Sequence, residues 1–275
     1  MSHVLTVTSH VSRLTSSLTS SLALSFLFLL VGCSQPHVER VEWPVMGTVA
    51  AVQWKDDGSE HKAEVAAVRE TFAEIERLLN AHDPSSELSR LAALPDEDVL
   101  ARCDPLVRPC YEAAFALRDE TGGVFNPRWR GPRTMDLGGI AKGFAVDLAA
   151  KRLAAVSPHA DFLIDLGGNL KAVKGSWTTA VAEPESSGGQ TTFELAAPAA
   201  CATSAEYYRG HHIKDGRSGA TVSNAVYSVT VIHPDSATLA DGLSTVLFIL
   251  GREKGEEHLK RRHPEARAVW LEAGR

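Results

Sequence analysis

Apolar residues recur every three or four positions in several stretches of the chain, which is the spacing of one face of an α-helix. The clearest case covers residues 60–79, where the apolar positions are Val65, Val68, Phe72, Ile75 and Leu79. The same pattern predicts helices at residues 109–121, 141–156 and 239–250, and a strongly charged helix at 253–262.

Shorter apolar or alternating stretches between these helices predict β-strands. They cover residues 41–52, around Met46-Gly47-Thr48, and residues 162–166, 177–182, 191–195 and 225–233. A loop is predicted at residues 80–86, where Asp83-Pro84 is a turn signal. Because helices and strands mix without a regular βαβ alternation, the predicted fold class is α+β, with mixed helices and sheets.

A short apolar segment, residues 22–31, lies near the N-terminus and is interrupted only by Ser25. It is shorter than the ~20 residues that span a bilayer, but it fits the core of a signal peptide. It ends in Leu30-Val31-Gly32-Cys33, which resembles a bacterial lipobox, where the cysteine is lipidated. We therefore expect a lipoprotein signal peptide at residues 1–32, a tether at 33–42 and a globular domain at 43–275. The alternative is an ordinary signal peptide with an incidental cysteine.

The expected location is the bacterial cell envelope. Cys33 would hold the domain to the membrane through a lipid anchor, on the periplasmic or another extracytoplasmic side. The net charge of −6 argues against non-specific binding of nucleic acid, which requires a basic surface. In an exported protein Cys103 and Cys110 could form a short-loop disulfide or remain as two buried thiols, and the sequence leaves both open.

The motif Asp-Leu-Gly-Gly occurs twice, at residues 136–139 and 165–168. The first copy leads into the predicted helix at 141–156, and Lys142 lies near the start of that helix. A helix N-terminus offers free N–H groups and the positive end of the helix dipole, so this segment is suited to a phosphate-rich ligand. The alternative is an ordinary Gly-Gly turn between a strand and a helix.

Asp241 and Thr245 stand four residues apart on the predicted helix at 239–250, so their side chains share one face. Oxygen ligands of this kind suit Mg²⁺, which also binds substrate phosphates. The alternative is an aspartate that stabilises the helix dipole and a threonine that bonds back to a backbone carbonyl. The adjacent pair His211-His212 offers a candidate general base, or a pair of surface histidines.

Further segments accompany these motifs in a recognisable order. They are Met46-Gly47-Thr48, the loop from Asn80 to Arg90, Gly123-Val124-Phe125-Asn126-Pro127, both Asp-Leu-Gly-Gly copies, Ala202-Thr203-Ser204, His212-Ile213 and Ala240-Asp241-Gly242-Leu243-Ser244-Thr245. Over residues 43–251 the chain resembles the ApbE family of FAD:protein FMN transferases.

The resemblance implies an α+β fold around a flavin-nucleotide cleft, and an enzyme that uses Mg²⁺ and FAD. Such an enzyme splits the pyrophosphate of FAD, passes FMN to a Thr or Ser hydroxyl of a target protein and releases AMP. The implied partner is a flavin-acceptor protein of a respiratory or redox complex.

The resemblance also assigns roles to individual residues. The metal site comprises Asp241 and Thr245, with Gly139 offering a further oxygen and Ser244 adjacent to them. The flavin-nucleotide contacts are Met46, His82, Val124, Phe125, Asn126, Asp136, Lys142 and Ile213. The candidate base for the acceptor hydroxyl is His212.

The chain departs from the family pattern at three places. His82 stands where the family usually has a tyrosine, Ala205-Glu206 replaces the usual Gly-Asp, and Gly216 replaces a proline. Two alternatives to the transferase are carried forward. One is a Mg²⁺-dependent FAD pyrophosphatase that yields FMN and AMP, and the other is a non-enzymatic flavin-binding maturation lipoprotein.

Overall fold

The computed structural model describes residues 37–184, 188–205, 213–222 and 224–272. The predicted signal peptide, Cys33 and the pair His211-His212 lie outside these ranges. The described residues belong to one compact unit, Pro36–Arg275. Within them, no helix combines the length and the apolar composition needed to cross a membrane.

The first two strands form an antiparallel hairpin, β1 (Val38–Val45) and β2 (Thr48–Lys55). The turn residues Met46 and Gly47 have φ angles of 50° and 66°. Positive φ at both central residues is the geometry that two-residue hairpins favour, because its twist matches that of the strands. The predicted strand region at 41–52 is therefore two strands, and β1 begins inside the predicted tether.

Seven further strands follow along the chain. They are β3 (Phe162–Leu166), β4 (Asn169–Ala172), β5 (Ser176–Ala182), β6 (Gln190–Ala196), β7 (Ala200–Ala205), β8 (Val226–His233) and β9 (Arg267–Glu272). Across the described ranges, an antiparallel seven-stranded sheet has the order β1-β2-β3-β4-β7-β8-β9, and β5 pairs with β6 in a separate sheet.

The helices lie in the stretches between these strands. They are α1 (Lys62–Leu79), α2 (Glu87–Leu91), α3 (Asp96–Arg102), α4 (Arg108–Glu120), α5 (Ala141–Val156), α6 (Ala237–Leu250) and α7 (Arg252–Arg262). The apolar face of α1 packs on α5, α5 packs on α6, and α6 covers β7 and β8. Phe72, Leu153 and Leu243, one from each of these three helices, are completely buried.

The predicted α+β class is confirmed, and the predicted helices and strands all exist. The prediction missed α2, α3, β4, β7 and β9, all of them short. Cys103, Cys110 and Cys201 are buried free thiols. Of the two alternatives for Cys103 and Cys110, the structure therefore has the pair of buried thiols and not the disulfide.

Candidate active site

The first Asp-Leu-Gly-Gly copy forms the turn into α5. The Asp136 carboxylate accepts a hydrogen bond from the Gly138 N–H at 2.9 Å, and Lys142 Nζ donates to the Gly138 carbonyl at 3.1 Å. The residue before α5 is Ile140, whose side chain provides no cap. The Ala141 N–H donates to the Leu137 carbonyl at 2.8 Å, and the later N–H groups of the first turn depend on partners from other elements or from a ligand.

Asp241 on α6 supplies one of those partners. Its residue is only 5% exposed, and its Oδ2 accepts a hydrogen bond from the Gly143 N–H at 3.0 Å. Its Oδ1 lies 3.6 Å from Lys142 Nζ, which is an ion pair rather than a tight hydrogen bond. Burial raises the pKa of the Cys110 thiol, and the negative charge of Asp241 raises it further. Asp241 thus lies in a largely buried part of the molecule.

Gly139 and Thr245 lie in close contact across the α5–α6 junction. A Cβ placed on Gly139 would lie 3.1 Å from Thr245 Oγ1 and 3.1 Å from Phe125 Cε2. Both distances are shorter than ordinary van der Waals contacts, so the missing side chain at Gly139 lets the threonine hydroxyl approach the backbone. The structure therefore brings three predicted site residues together at one point.

Ser244 and Thr245 differ in what their hydroxyls do. Ser244 is completely buried, and its Oγ donates to the Asp241 carbonyl at 2.9 Å and lies 2.9 Å from Ser204 Oγ. Thr245 Oγ1 makes only a long contact of 3.4 Å to the same carbonyl. The Ser244 hydroxyl is thus fully engaged with protein partners. The hydrogen bond from the Thr245 hydroxyl back to the Asp241 carbonyl is long, so the Thr245 hydroxyl is available to a ligand.

The donor set fits Mg²⁺. Asp241 Oδ1 is a buried carboxylate oxygen whose cationic neighbour, Lys142, stays 3.6 Å away, and Thr245 presents an uncharged oxygen beside Gly139. Mg²⁺ typically uses one or two protein carboxylates and takes its other ligands from water and substrate phosphates. A single carboxylate and a hydroxyl, with the remaining positions left to water and phosphate oxygens, fit this pattern.

Two residues without a predicted role, Trp129 and Arg130, hold the Asp136 carboxylate. Its Oδ2 accepts from Trp129 Nε1 at 3.3 Å and lies 3.7 Å from an Arg130 nitrogen. The Asp136 N–H donates to the Pro127 carbonyl at 2.7 Å. In the sequence, the run Trp-Arg-Gly lies between two recognised motifs. This run does not by itself indicate a role.

The segment Val124-Phe125-Asn126 joins the site to residues 213–222. Val124 and Phe125 are buried, and Asn126 Nδ2 donates to the Gly216 carbonyl at 3.1 Å. The Gly216 N–H donates to the Val124 carbonyl at 3.0 Å. A Cβ on Gly216 would lie 2.5 Å from the Cβ of Asn126. The glycine that departs from the family pattern is therefore the residue that this close packing requires.

The other predicted contacts lie on separate segments. The Met46 N–H donates to Glu76 Oε1 at 2.9 Å, in the β1–β2 turn. His82 is exposed in the loop after α1, and its N–H donates to Asn80 Oδ1 at 2.9 Å. Ile213 is buried. Among the described residues, no hydrogen bond or ion pair joins these three to Asp241. His212 is not one of the residues that the structure describes.

Two residues with structural roles at the site were missed. Gly143 and Asp147, both on α5, contact α6 at Asp241 and at its first turn. Both lie on the predicted helix at 141–156, but their partners on α6 lie far away in sequence. Only the helix pairing reveals them.

The fold and the site together define a class of protein, an α+β domain whose glycine-rich helix N-terminus, lysine and oxygen donors lie side by side. Such a site suits a phosphate-bearing ligand with a divalent cation. The sequence profile of the ApbE family matches residues 46–133 and 128–270. The chain therefore belongs to the ApbE family.

Individual proteins are similar to parts of the chain. The FAD:protein FMN transferase of Haemophilus influenzae is 32% identical over 138 residues, which cover 45% of this chain and 39% of that protein. The FAD:protein FMN transferase of Klebsiella pneumoniae is 36% identical over 137 residues, covering 46% and 42%. The matched part of the chain thus spans about two fifths of the length of these curated relatives.

Solved structures share the fold over most of its length. The flavinyl transferase ApbE of Pseudomonas stutzeri in its apo form superposes with a TM-score of 0.72 at 23% identity, covering 87% of this chain and 92% of that one. The flavin transferase ApbE of Vibrio cholerae gives a TM-score of 0.71 at 21% identity, covering 87% and 94%. At these identities the likeness shows the fold.

Proposed function

We propose that this chain is a Mg²⁺-dependent FAD:protein FMN transferase. The observation that carries the proposal is the contact of Gly139 with Thr245 beside the buried Asp241, at the N-terminus of α5. Membership of the ApbE family supports it, as do the relatives in Haemophilus influenzae and Klebsiella pneumoniae, which are named FAD:protein FMN transferases.

In the proposed reaction, the hydroxyl oxygen of an acceptor Thr or Ser attacks the phosphorus on the FMN side of the FAD pyrophosphate. A phosphoester bond forms, the bond from that phosphorus to the bridging oxygen breaks, and AMP leaves with the bonding electron pair. Positioning and neutralisation of charge supply most of the catalysis in such a displacement. Lys142 and the N-terminus of α5 provide positive charge where the diphosphate would lie.

Asp241, Thr245 and the Gly139 carbonyl would hold Mg²⁺, with Ser244 supporting the set through its bond to the Asp241 carbonyl. When bound, the ion would neutralise charge on the diphosphate and on the departing AMP. The proposed FAD contacts are Met46, His82, Val124, Phe125, Asn126, Asp136, Lys142 and Ile213. His212 is proposed to take the proton of the acceptor hydroxyl.

The test is incubation of the full chain with FAD, Mg²⁺ and a purified flavin-acceptor domain, followed by intact-mass measurement of the acceptor. The expected result is an acceptor whose mass rises by one FMN less one water, together with free AMP. The matched controls are an acceptor in which the target hydroxyl residue is alanine and a reaction containing EDTA.

The same experiment separates the alternatives. Free FMN and AMP with an unmodified acceptor would show a FAD pyrophosphatase instead. FAD that is bound and recovered intact, in the presence of Mg²⁺ and acceptor, would indicate a flavin-binding maturation protein.

We further propose that the protein is a lipoprotein of the bacterial cell envelope, anchored through Cys33 on the extracytoplasmic side. Its acceptor would then be a protein of a respiratory or redox complex exposed on that side. Cys33→Ala is expected to release the protein from membranes or to leave it as an unprocessed precursor. Unchanged processing and membrane fractionation of this variant would contradict the anchor.

A further inference from the structure

Two histidines and a glutamate meet where α7 reaches the end of α4. Glu120 is the last residue of α4, His258 lies within α7, and His263 follows α7 directly. Glu120 Oε1 lies 3.1 Å from His258 Nε2 and 3.0 Å from His263 Nε2. One ligand atom from each residue falls within 4.8 Å of the others.

The two rings are buried, and one of them lacks a proper partner. His258 and His263 are 7% and 9% exposed. Within the described part of the chain, His258 Nε2 is completely covered and has no hydrogen bond of acceptable geometry, although Glu120 Oε1 lies 3.1 Å away. A buried polar atom that is left unpaired is costly, so its retention indicates a further partner.

Two of the three distances between ligand atoms are close to those in a transition-metal site. Zn²⁺ binds histidine nitrogens and carboxylate oxygens tetrahedrally at about 2.0–2.1 Å, which separates the ligand atoms by roughly 3.3–3.4 Å. The observed distances of 3.0 and 3.1 Å need only a small expansion.

A second carboxylate lies behind one of the rings. His263 Nδ1, on the opposite side of the ring from Glu120, lies 3.5 Å from Glu265 Oε1. Metal-binding histidines usually donate their other ring N–H to such a carboxylate, which fixes the ring and makes its free nitrogen more basic.

A cavity of about 310 Å³ borders two members of the cluster, Glu120 and His258. Its other charged lining residues are Glu257, Arg217, Lys254 and Arg261. A site with three protein ligands has a fourth position for water or another ligand, and it requires a path by which the ion enters. Solvent in this cavity lies next to Glu120 and His258, whereas His263 does not line it.

We propose that Glu120, His258 and His263 bind a divalent transition-metal ion, for which Zn²⁺ is the best match, at a site separate from Asp241. The ion would fasten α7 to the C-terminal end of α4. The next residue, Thr121, accepts a hydrogen bond from the Phe125 N–H at 3.3 Å through its hydroxyl. Because Phe125 packs beside Gly139, the ion would also steady one wall of the candidate active site.

The test uses the full chain, prepared without a histidine tag and stripped of metal. Zn²⁺ is titrated by calorimetry in the presence of excess Mg²⁺, and bound metal is counted after gel filtration. The expected result is one Zn²⁺ per chain, with affinity at least ~10-fold weaker in Glu120→Gln and in His263→Gln. Co²⁺ is expected to give the visible absorption of a tetrahedral site in the wild type, but not in Glu120→Gln or His263→Gln.

Two exposed residues provide matched controls, His159→Gln and Glu253→Gln, and neither should change Zn²⁺ binding. Glu265→Gln keeps all three ligands and is expected to retain the stoichiometry with about 10-fold weaker affinity. This variant keeps the test informative if a ligand variant fails to fold. Absence of stoichiometric Zn²⁺ binding by the wild type, or wild-type Zn²⁺ affinity in both Glu120→Gln and His263→Gln, would overturn the proposal.

Discussion

Asp147 and Asp241 stabilise the N-termini of each other's helices. The Asp147 carboxylate, on α5, accepts hydrogen bonds from the Ala237 and Thr238 N–H groups at the start of α6, both at 2.9 Å. Asp241, on α6, accepts from the Gly143 N–H in the first turn of α5 at 3.0 Å. A Cβ on Gly143 would overlap the Ala237 carbonyl, so the glycine permits this close crossing.

Because the two aspartates have different further partners, we expect their substitution to change the free energy of unfolding by different amounts. Asp147 also pairs with the buried Lys171 Nζ at 2.8 Å. Asp147→Ala should therefore lower the free energy of unfolding by on the order of 3 kcal/mol. Asp241→Asn keeps an oxygen for the Gly143 N–H and should stay within about 1 kcal/mol of the wild type. Urea denaturation measures both values, and equal losses would argue against this division.

At Gly139, the tight contact with Thr245 predicts a loss of FAD affinity on substitution. Gly139→Val would force the threonine hydroxyl and the Phe125 ring away from their positions. We expect this variant to bind FAD more weakly than Lys142→Ala does, because Lys142 is a flexible side chain whose loss leaves the backbone in place. Flavin fluorescence titration of the three proteins tests the order, and wild-type affinity in Gly139→Val would refute it.

A third prediction concerns acid stability. Burial raises the pKa of Asp96, but hydrogen bonds and charges from Arg118 and Arg128 outweigh it and hold the pKa below its usual 3.8. The unfolded carboxyl therefore takes up a proton at a higher pH than the folded one. The stabilisation by Asp96 is present above about pH 4 and is lost as the pH falls through the folded pKa.

Asp96→Asn should accordingly lower the free energy of unfolding above about pH 5 and flatten its decline below about pH 4. Denaturant titrations across this range measure both effects. Asp98→Asn is the control, because its contact with Arg102 is exposed and 3.7 Å long. If the free energy of unfolding of Asp96→Asn declines below about pH 4 as steeply as that of the wild type, then Asp96 does not contribute to acid stability.

The histidine pair provides a fourth prediction. A base is needed when the acceptor hydroxyl loses its proton, but not for holding FAD. His212→Ala should slow FMN transfer by ~10²–10³ while leaving FAD affinity nearly intact. His211→Ala should have a much smaller effect, since adjacent side chains on an extended segment point in opposite directions. Greater sensitivity at His211 would reassign the base.

The two Asp-Leu-Gly-Gly copies show what the sequence could not specify. The first leads into α5, whereas in the second Gly167 and Gly168 have φ angles of 59° and 86° and form the tight turn between β3 and β4. The four residues are identical, so the difference comes from their neighbours. Strand pairing of β3 with β2 and of β4 with β7 fixes the second copy as a hairpin.

The elements that were missed depend on tertiary partners in the same way. β4 has four residues and α2 has five, too few for a period to be recognised. β7 (Ala200–Ala205) consists of small residues, three of them alanines with low strand propensity, and it is held between β4 and β8. Longer amphipathic elements such as α1 carry a period that local sequence alone reveals.

Within the site, the pair Asp241 and Thr245 could be predicted because both lie on one helix face. The contact of Asp241 with Gly143 could not, because these residues are 98 positions apart and meet only when α5 and α6 pack. The same holds for the approach of Thr245 to Gly139.

We propose that Asp241 binds the Mg²⁺ that FMN transfer requires. The rate of FMN transfer as a function of Mg²⁺ concentration, measured side by side for the wild type and Asp241→Asn, tests this most directly. Because the variant keeps the bond to the Gly143 N–H but loses the charge, its fold should persist. We expect saturable Mg²⁺ dependence in the wild type and no detectable transfer in the folded variant. Transfer by Asp241→Asn with the wild-type rate and Mg²⁺ dependence would contradict it.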